Sequence, residues 1–267
     1  MKKTSFVCAC AILAVAAGCG DPSSPTGTLP QVTGLVVVDS LCEGTEVCLR
    51  WNSVPDVDGY RLYWSETTGA WDELVNIVDT TYVDDVSTHD GGAGYYTVLA
   101  FKGVDTSEDY ADYANTLANT CGSYTLWIGG SSLDSLDAII FGEEEGLRGI
   151  AGDVTFLQDA YCYQAPSSEH IALYSGDVPP YGDGNSVIMA NGDNPRIAPA
   201  SGYVDSLSLF ESDRLFIELE SGNFVKMSIT DMPEDTVVVG SDTLWISGVE
   251  FYYWYQPIPN LRIFGSY

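Results

Sequence analysis

The 267-residue chain holds only two histidines, His89 and His170, so acid–base and metal chemistry have few places to start. His170, in Ser168-Glu169-His170-Ile171, has a carboxylate beside it, but among 38 acidic residues such proximity is expected by chance. His89 sits in the turn-forming run Thr88-His89-Asp90-Gly91-Gly92 and reads as solvated. No G-x-S-x-G elbow, H-E-x-x-H, P-loop or G-x-G-x-x-G leading into a helix occurs, and no catalytic residue is assigned. A hydrolytic or carbohydrate-active alternative would have to use acids such as Asp153 and Glu218, held roughly 5–10 Å apart in one cleft. Oxygen ligands for a hard cation gather at Asp177, Asp183, Asn185, Asn191, Asp193 and Asn194, but without D-x-D-x-D-G spacing this is read as a turn-rich loop. The run Glu143-Glu144-Glu145 reads as solvated. The sequence therefore assigns no metal and no cofactor.

Thiols are the other reactive group. Lys2 and Lys3 precede the run from Phe6 to Gly18, a charged start and a short apolar stretch that is too brief for a membrane-spanning helix and reads as an export signal. It ends Ala16-Ala17-Gly18-Cys19, which resembles the bacterial lipobox, with Ala16 where that family usually has Leu. The resemblance implies cleavage before an acylated Cys19, attachment to a membrane through the lipid, and residence in the cell envelope, at the outer membrane or cell surface rather than the inner membrane. Of seven cysteines, Cys8 and Cys10 leave with the signal. Cys42, Cys48, Cys121 and Cys162 remain as disulfide candidates, with three connectivities open. Cys42 and Cys48 flank one expected turn, which favours Cys42–Cys48 with Cys121–Cys162.

Losing Lys2 and Lys3 leaves 8 basic residues against 38 acids, a formal charge of −30. That charge excludes nucleic acid and repels anionic lipid head groups, so membrane contact should come from the anchor. Seventeen Tyr and six Trp supply aromatic contact area for a protein or glycan ligand. The densest group is Phe251-Tyr252-Tyr253-Trp254-Tyr255; one alternate set should pack inside, and Tyr252 with Trp254 are the candidate binding aromatics.

These groups need elements to hold them. Residues 20–30 are rich in Pro, Gly, Ser and Thr and read as a spacer. From 31 to about 120, short runs alternate apolar and polar residues between turn signals. Val47, Leu49 and Trp51 share one face of a strand, Pro55-Asp56-Val57-Asp58-Gly59 is a turn, Tyr60-Arg61-Leu62-Tyr63-Trp64 alternates again, and Tyr95 to Phe101 forms a further strand. With Trp51, Tyr60, Leu62, Tyr96, Val98 and Ala100 at these places, residues 31–119 resemble a fibronectin type III domain. The resemblance implies two antiparallel sheets packed face to face, a non-catalytic structural or binding module, and Tyr96 as a tyrosine corner whose hydroxyl returns to nearby backbone.

Residues 121–267 are expected to form a second antiparallel β-sandwich or barrel. Strands are expected at 124–128, 153–157, 214–219, 223–229 and 250–255, the last three as a meander through Ser221-Gly222 and a 231–241 loop. The stretch 175–202 reads as Gly/Pro/Asp/Asn-rich connection, and only 131–147 hints at a helical period. The ending is similar in style to haem-scavenging HmuY-like envelope β-domains, which implies haem capture as an alternative, although no ligand motif carries it over. The sequence thus describes an all-β, non-enzymatic, lipid-anchored envelope protein acting in adhesion, scaffolding or ligand binding.

Overall fold

A computed structural model describes residues 29–88, 92–107, 109–128, 137–143, 146–149, 153, 157–164, 170–180, 182, 184–239 and 241–265. The export signal, Cys19, His89 and the middle of the strand expected at 153–157 lie outside the described residues. Among the described residues all regular structure is β, apart from two short 3-10 turns.

The first sandwich uses eight strands: β1 (Val36–Val37), β2 (Glu46–Arg50), β3 (Gly59–Ser65), β4 (Asp72–Ile77), β5 (Thr81–Asp85), β6 (Tyr95–Lys102), β7 (Asp105–Thr106) and β8 (Ala114–Asn115). One sheet runs β1-β2-β5 and the other β4-β3-β6-β7, with β8 also on β6, all antiparallel. Alternation decides what faces inward. Val47, Leu49, Trp51, Tyr60, Leu62, Trp64, Tyr96, Val98 and Ala100 share one core, while Tyr63 and Leu99 turn outward to a smaller cluster with Trp71. Trp51 meets Tyr60 edge to face at 5.6 Å. This is the two-sheet arrangement expected of 31–119.

The tyrosine corner departs from expectation. Tyr96 donates its hydroxyl to the Asp84 carboxylate on β5 at 2.6 Å, not to backbone. Asp84 is itself buried, so the short charge-assisted bond stabilises a carboxylate that burial alone would penalise. Burial, and then that carboxylate, push the Tyr96 phenol well above its usual range.

The second sandwich has β9 (Asn119–Ile128), β10 (Ala138–Ile140), β11 (Leu147–Gly149), β12 (Ala160–Tyr163), β13 (Ala172–Ser175), β14 (Val187–Asn191), β15 (Ser206–Ser208), β16 (Arg214–Leu219), β17 (Phe224–Asp231), β18 (Glu234–Val239) and β19 (Asp242–Gln256). A sheet of short strands, β11-β10-β12-β13-β15, faces a sheet of longer ones, β14-β16-β17-β19-β18 with β9 along the far edge of β19. Between them lie Leu126, Ile139, Leu173, Leu215, Ile217, Val225, Met227, Phe251 and Tyr253. Three expectations change. The described part of 131–147 contains β10 and the start of β11, because Ala138 and Ile139 pair on both edges and Ile140 pairs with Leu147. The 175–202 stretch contains β14, whose Val187 and Met189 fill the core. The expected 231–241 loop holds β18, so the ending is not a simple meander: β17 and β18 lie in succession along one edge of β19, interrupted at Met232-Pro233 where proline cannot donate.

The four cysteines expected to pair are free thiols. Cys48 Sγ donates to the Leu41 carbonyl at 3.0 Å, while Cys42 Sγ donates to the Val38 carbonyl at 3.6 Å and accepts the Cys48 N–H at 3.4 Å, so the turn does bring the two residues side by side. Cys121 Sγ lies within reach of the Asn119, Gly142 and Glu143 carbonyls at 3.4, 3.3 and 3.4 Å, and Cys162 is buried in the same core, where burial raises its thiol pKa.

The carboxy-terminal segment 257–265 returns to the first sandwich. Ile258, Leu261 and Ile263 sit in the first core although the sequence places them in the second domain. Arg262 N–H donates to Gly44 C=O at 2.8 Å and Gly44 N–H to Asn260 C=O at 2.9 Å, while Gln256 Nε2 donates to the Thr116 and Ile263 carbonyls. Leu261→Ala should therefore destabilise the protein by about 2–5 kcal/mol in urea unfolding, since the tail residue fills a core. An unchanged midpoint would contradict this placement. Tyr96→Phe should cost about 1–3 kcal/mol by leaving buried Asp84 without its phenol donor.

Candidate functional site

The residues first singled out for chemistry do not assemble. Asp153 is exposed, whereas Glu218 lines a cleft of about 540 Å³ between the sandwiches with Glu43, Glu46, Asn260 and Arg262. Arg262 is committed there to the Ala198 carbonyl at 2.9 Å. Among the described residues no group of three or more His, Cys, Asp or Glu is placed to hold a metal ion. Of the described candidates for a hard cation, Asp177 accepts from Ser175, Asn185 donates to buried Asp159 at 2.8 Å and Asn194 accepts the Arg196 N–H at 2.8 Å, while Asn191 at the end of β14 and Asp193 are exposed. Asp183, Glu144 and Glu145 lie outside the described residues.

The two candidate aromatics have different fates. Phe251, Tyr253 and Tyr255 form the inward set of β19, leaving Tyr252 and Trp254 on the outer face. Trp254 is half-buried there, with Lys226 Nζ 4.4 Å from its ring centre. Lys226 is 1% exposed, donates to the Pro195 carbonyl at 3.3 Å and also faces Phe264. Burial, with Arg214 adding to it, lowers the Lys226 pKa to about 8. Tyr252 remains exposed, opposite Ser228 and Ser123.

Sequence reasoning missed the surface that stands out. β19 is fifteen residues long, and the strands of the opposite sheet have three or four. Its inward parity, which buries Val249, Phe251 and Tyr253, continues through Ser247 to Trp245, and Thr236 and Val238 lie on the same face of β18 by register. Beyond the opposite sheet this inner face is bare: Trp245 is 78% exposed and Val238 69%. Where the two sheets part, a groove of about 450 Å³ opens, lined by His170, Ile171, Leu209, Phe210, Met232, Glu211, Glu234, Ser247 and Gln164. Phe210 is held in a turn, its N–H donating to Asp213 at 3.0 Å, and its ring lies 5.0 Å from that of His170. His170 is thus the one early candidate that reaches this site, as part of a wall. Thr-Val-Val-Val at 236–239 was the available signal, a β-branched run lodged in what reads as a loop.

No protein-family model and no curated protein matches the chain. Among solved structures it is similar to an Fn3-like protein from Clostridium thermocellum, with 26% identity over 34% of this chain and 91% of that one and a TM-score of 0.27. It is also similar to a two-domain fibronectin type III segment of chicken tenascin, with 16% identity over 82% of this chain and 97% of that one and a TM-score of 0.29. With TM-scores this low, the strand order above carries the fold.

Two outcomes test the assignments. Trp245→Ser should change unfolding free energy by no more than about 0.5 kcal/mol, because the ring is already in water; a loss of several kcal/mol would mean that it is packed. For Lys226 the folded pKa is below the unfolded one, so between the two the unfolded chain holds a proton that the folded chain lacks, and stability rises with pH. The stability of Lys226→Met minus that of wild type should therefore shrink by up to about 3 kcal/mol from pH 7 to pH 10.5. Subtracting the variant removes the opposing effect of the buried thiols and phenols, whose raised pKa values make stability fall as pH climbs. A flat difference would contradict the buried ammonium.

Proposed function

We propose that this is a non-enzymatic, lipid-anchored cell-envelope protein whose second sandwich binds a protein ligand through the bare inner face of β18 and β19 and the groove at its root. The observation that carries the reading is Trp245, an interior-type position left 78% exposed beside a preformed groove. Exposed apolar faces rimmed by polar groups mark interaction sites, and Trp is the residue type most enriched at binding hot spots. A protein ligand is favoured over a glycan because Trp254, the natural partner for Tyr252 in a sugar-stacking platform, is covered by Lys226 and its surroundings.

The anchor rests on the lipobox-like Ala16-Ala17-Gly18-Cys19. From Cys19 to Leu29, which enters the fold by donating to the Thr106 carbonyl at 3.2 Å, ten residues give a tether of up to about 35 Å. The first sandwich then acts as the stalk, joined to the second by the returning tail. The test is detergent-phase partitioning of the protein expressed in a bacterial host. Wild type should enter the detergent phase and Cys19→Ala should stay in the aqueous phase; equal partitioning of the two would reject the anchor.

A further inference from the structure

The hydrogen bonding of the overhanging hairpin fixes which backbone groups face outward. Gly248 N–H donates to Pro233 C=O at 2.8 Å, and antiparallel pairs alternate from there. Asp235–Ile246, Val237–Leu244 and Val239–Asp242 are then the bonded pairs. The N–H and C=O of Glu234, Thr236 and Val238 consequently point away from β19. Thr236 N–H, as this requires, turns to the exposed Asp235 carboxylate at 2.7 Å. Among the described residues no strand pairs with this edge of β18.

Three features therefore coincide: an open strand edge, an uncovered inner face with the groove beneath it, and a rim of one charge. Between Lys226 and Arg262 the chain has no basic residue, while Glu234, Asp235 and Asp242 lie on the hairpin itself. Natural edges are usually guarded by lysine, proline or a bulge, and here proline guards only the start. From this placement, and resting on the binding role proposed above, we infer that the ligand is an extended polypeptide segment that adds to β18 as a further strand. Its alternate apolar side chains enter the space in front of Trp245 and Phe210, and its Lys or Arg residues meet the acidic rim. Main-chain hydrogen bonds hold such a segment and alternate pockets select it, which is the strand-addition mode of peptide recognition. The exposed Asp235 carboxylate yields its bond to an incoming carbonyl.

The probe is a ten-residue peptide alternating valine with lysine, compared with the same peptide carrying glutamate in place of lysine, added to the purified full chain. Hydrogen exchange at the Val238 amide, which faces the open edge, should be fast in the free protein and at least tenfold slower with the lysine peptide. Val238→Pro should weaken peptide binding at least tenfold while the Val237 and Val239 amides keep their protection, because the substitution removes only an outward donor. No slowing, undiminished binding by Val238→Pro, or equal binding of the glutamate peptide would overturn the inference. A Val238 amide already protected without peptide would also overturn it: concentration-independent protection assigns the edge to the chain's own residues, and concentration-dependent protection to a second copy. Failure on any of these counts, with Cys19-dependent partitioning intact, rejects strand addition and leaves the anchored binding module standing.

Discussion

A fifteen-residue strand extends about 50 Å, and strands of three or four residues facing it span about 10–14 Å each. A sandwich buries only the part of a sheet that another sheet covers. The consequence is a change of environment along one face of β19 without a change of chemistry: Phe251 and Tyr253 are fully buried, and Trp245, on the same face, stands in water. The groove at His170 and Phe210 is the seam where cover ends. Everything proposed for the second sandwich follows from this mismatch in length.

Such an overhang is stable only if the remainder of the molecule holds the hairpin's root. The root is held by β9 and β17 along the two edges of β19, with β16 next beyond β17, and beyond Gln256 the chain crosses into the first sandwich. There Ile258, Leu261 and Ile263 complete a core built mainly from residues 32–114, so the two sandwiches share covalent and apolar continuity. Arg196 adds an ion pair to Glu66 at 2.7 Å across the same junction. Partly exposed pairs of this kind contribute little, and the tail's burial is the larger effect. The junction also explains Lys226, whose ammonium is packed among Trp254, Phe264 and the Pro195 carbonyl.

β2, β3 and β6 of the first sandwich were legible because their inward residues recur at every second position, and because Trp51 and Tyr96 are large inward residues at strand spacing; the second buried face of β3 and β6, covered around Tyr63, Leu99 and Trp71, was not. What composition could not supply was the partner of the Tyr96 hydroxyl, since an Asp at the end of β5 competes with backbone only once the sheets are packed. In the second sandwich β16 and β17 were readable for the same reason. β18 was not: Glu234-Asp235 and Gly240-Ser241 frame it as a loop, and its β-branched run gains its meaning from pairing with 242–247. The overhang was invisible for a deeper reason. Alternation reveals which side chains share a face, whereas cover depends on the length of a different sheet. Likewise, Trp254 looked like an exposed aromatic until the segment at 195–203 and the tail were laid over it.

The most direct test of an uncovered inner face is quenching of tryptophan fluorescence by acrylamide in wild type and Trp245→Phe. Trp51, Trp64 and Trp71 are buried and Trp127 and Trp254 partly covered, so Trp245 should dominate the quenchable emission. Replacing it should remove most of the accessible fraction and shift the remaining emission to the blue. If the quenching curve and emission maximum are the same with and without Trp245, the face is covered and the account of this protein as a binding module at that surface is wrong.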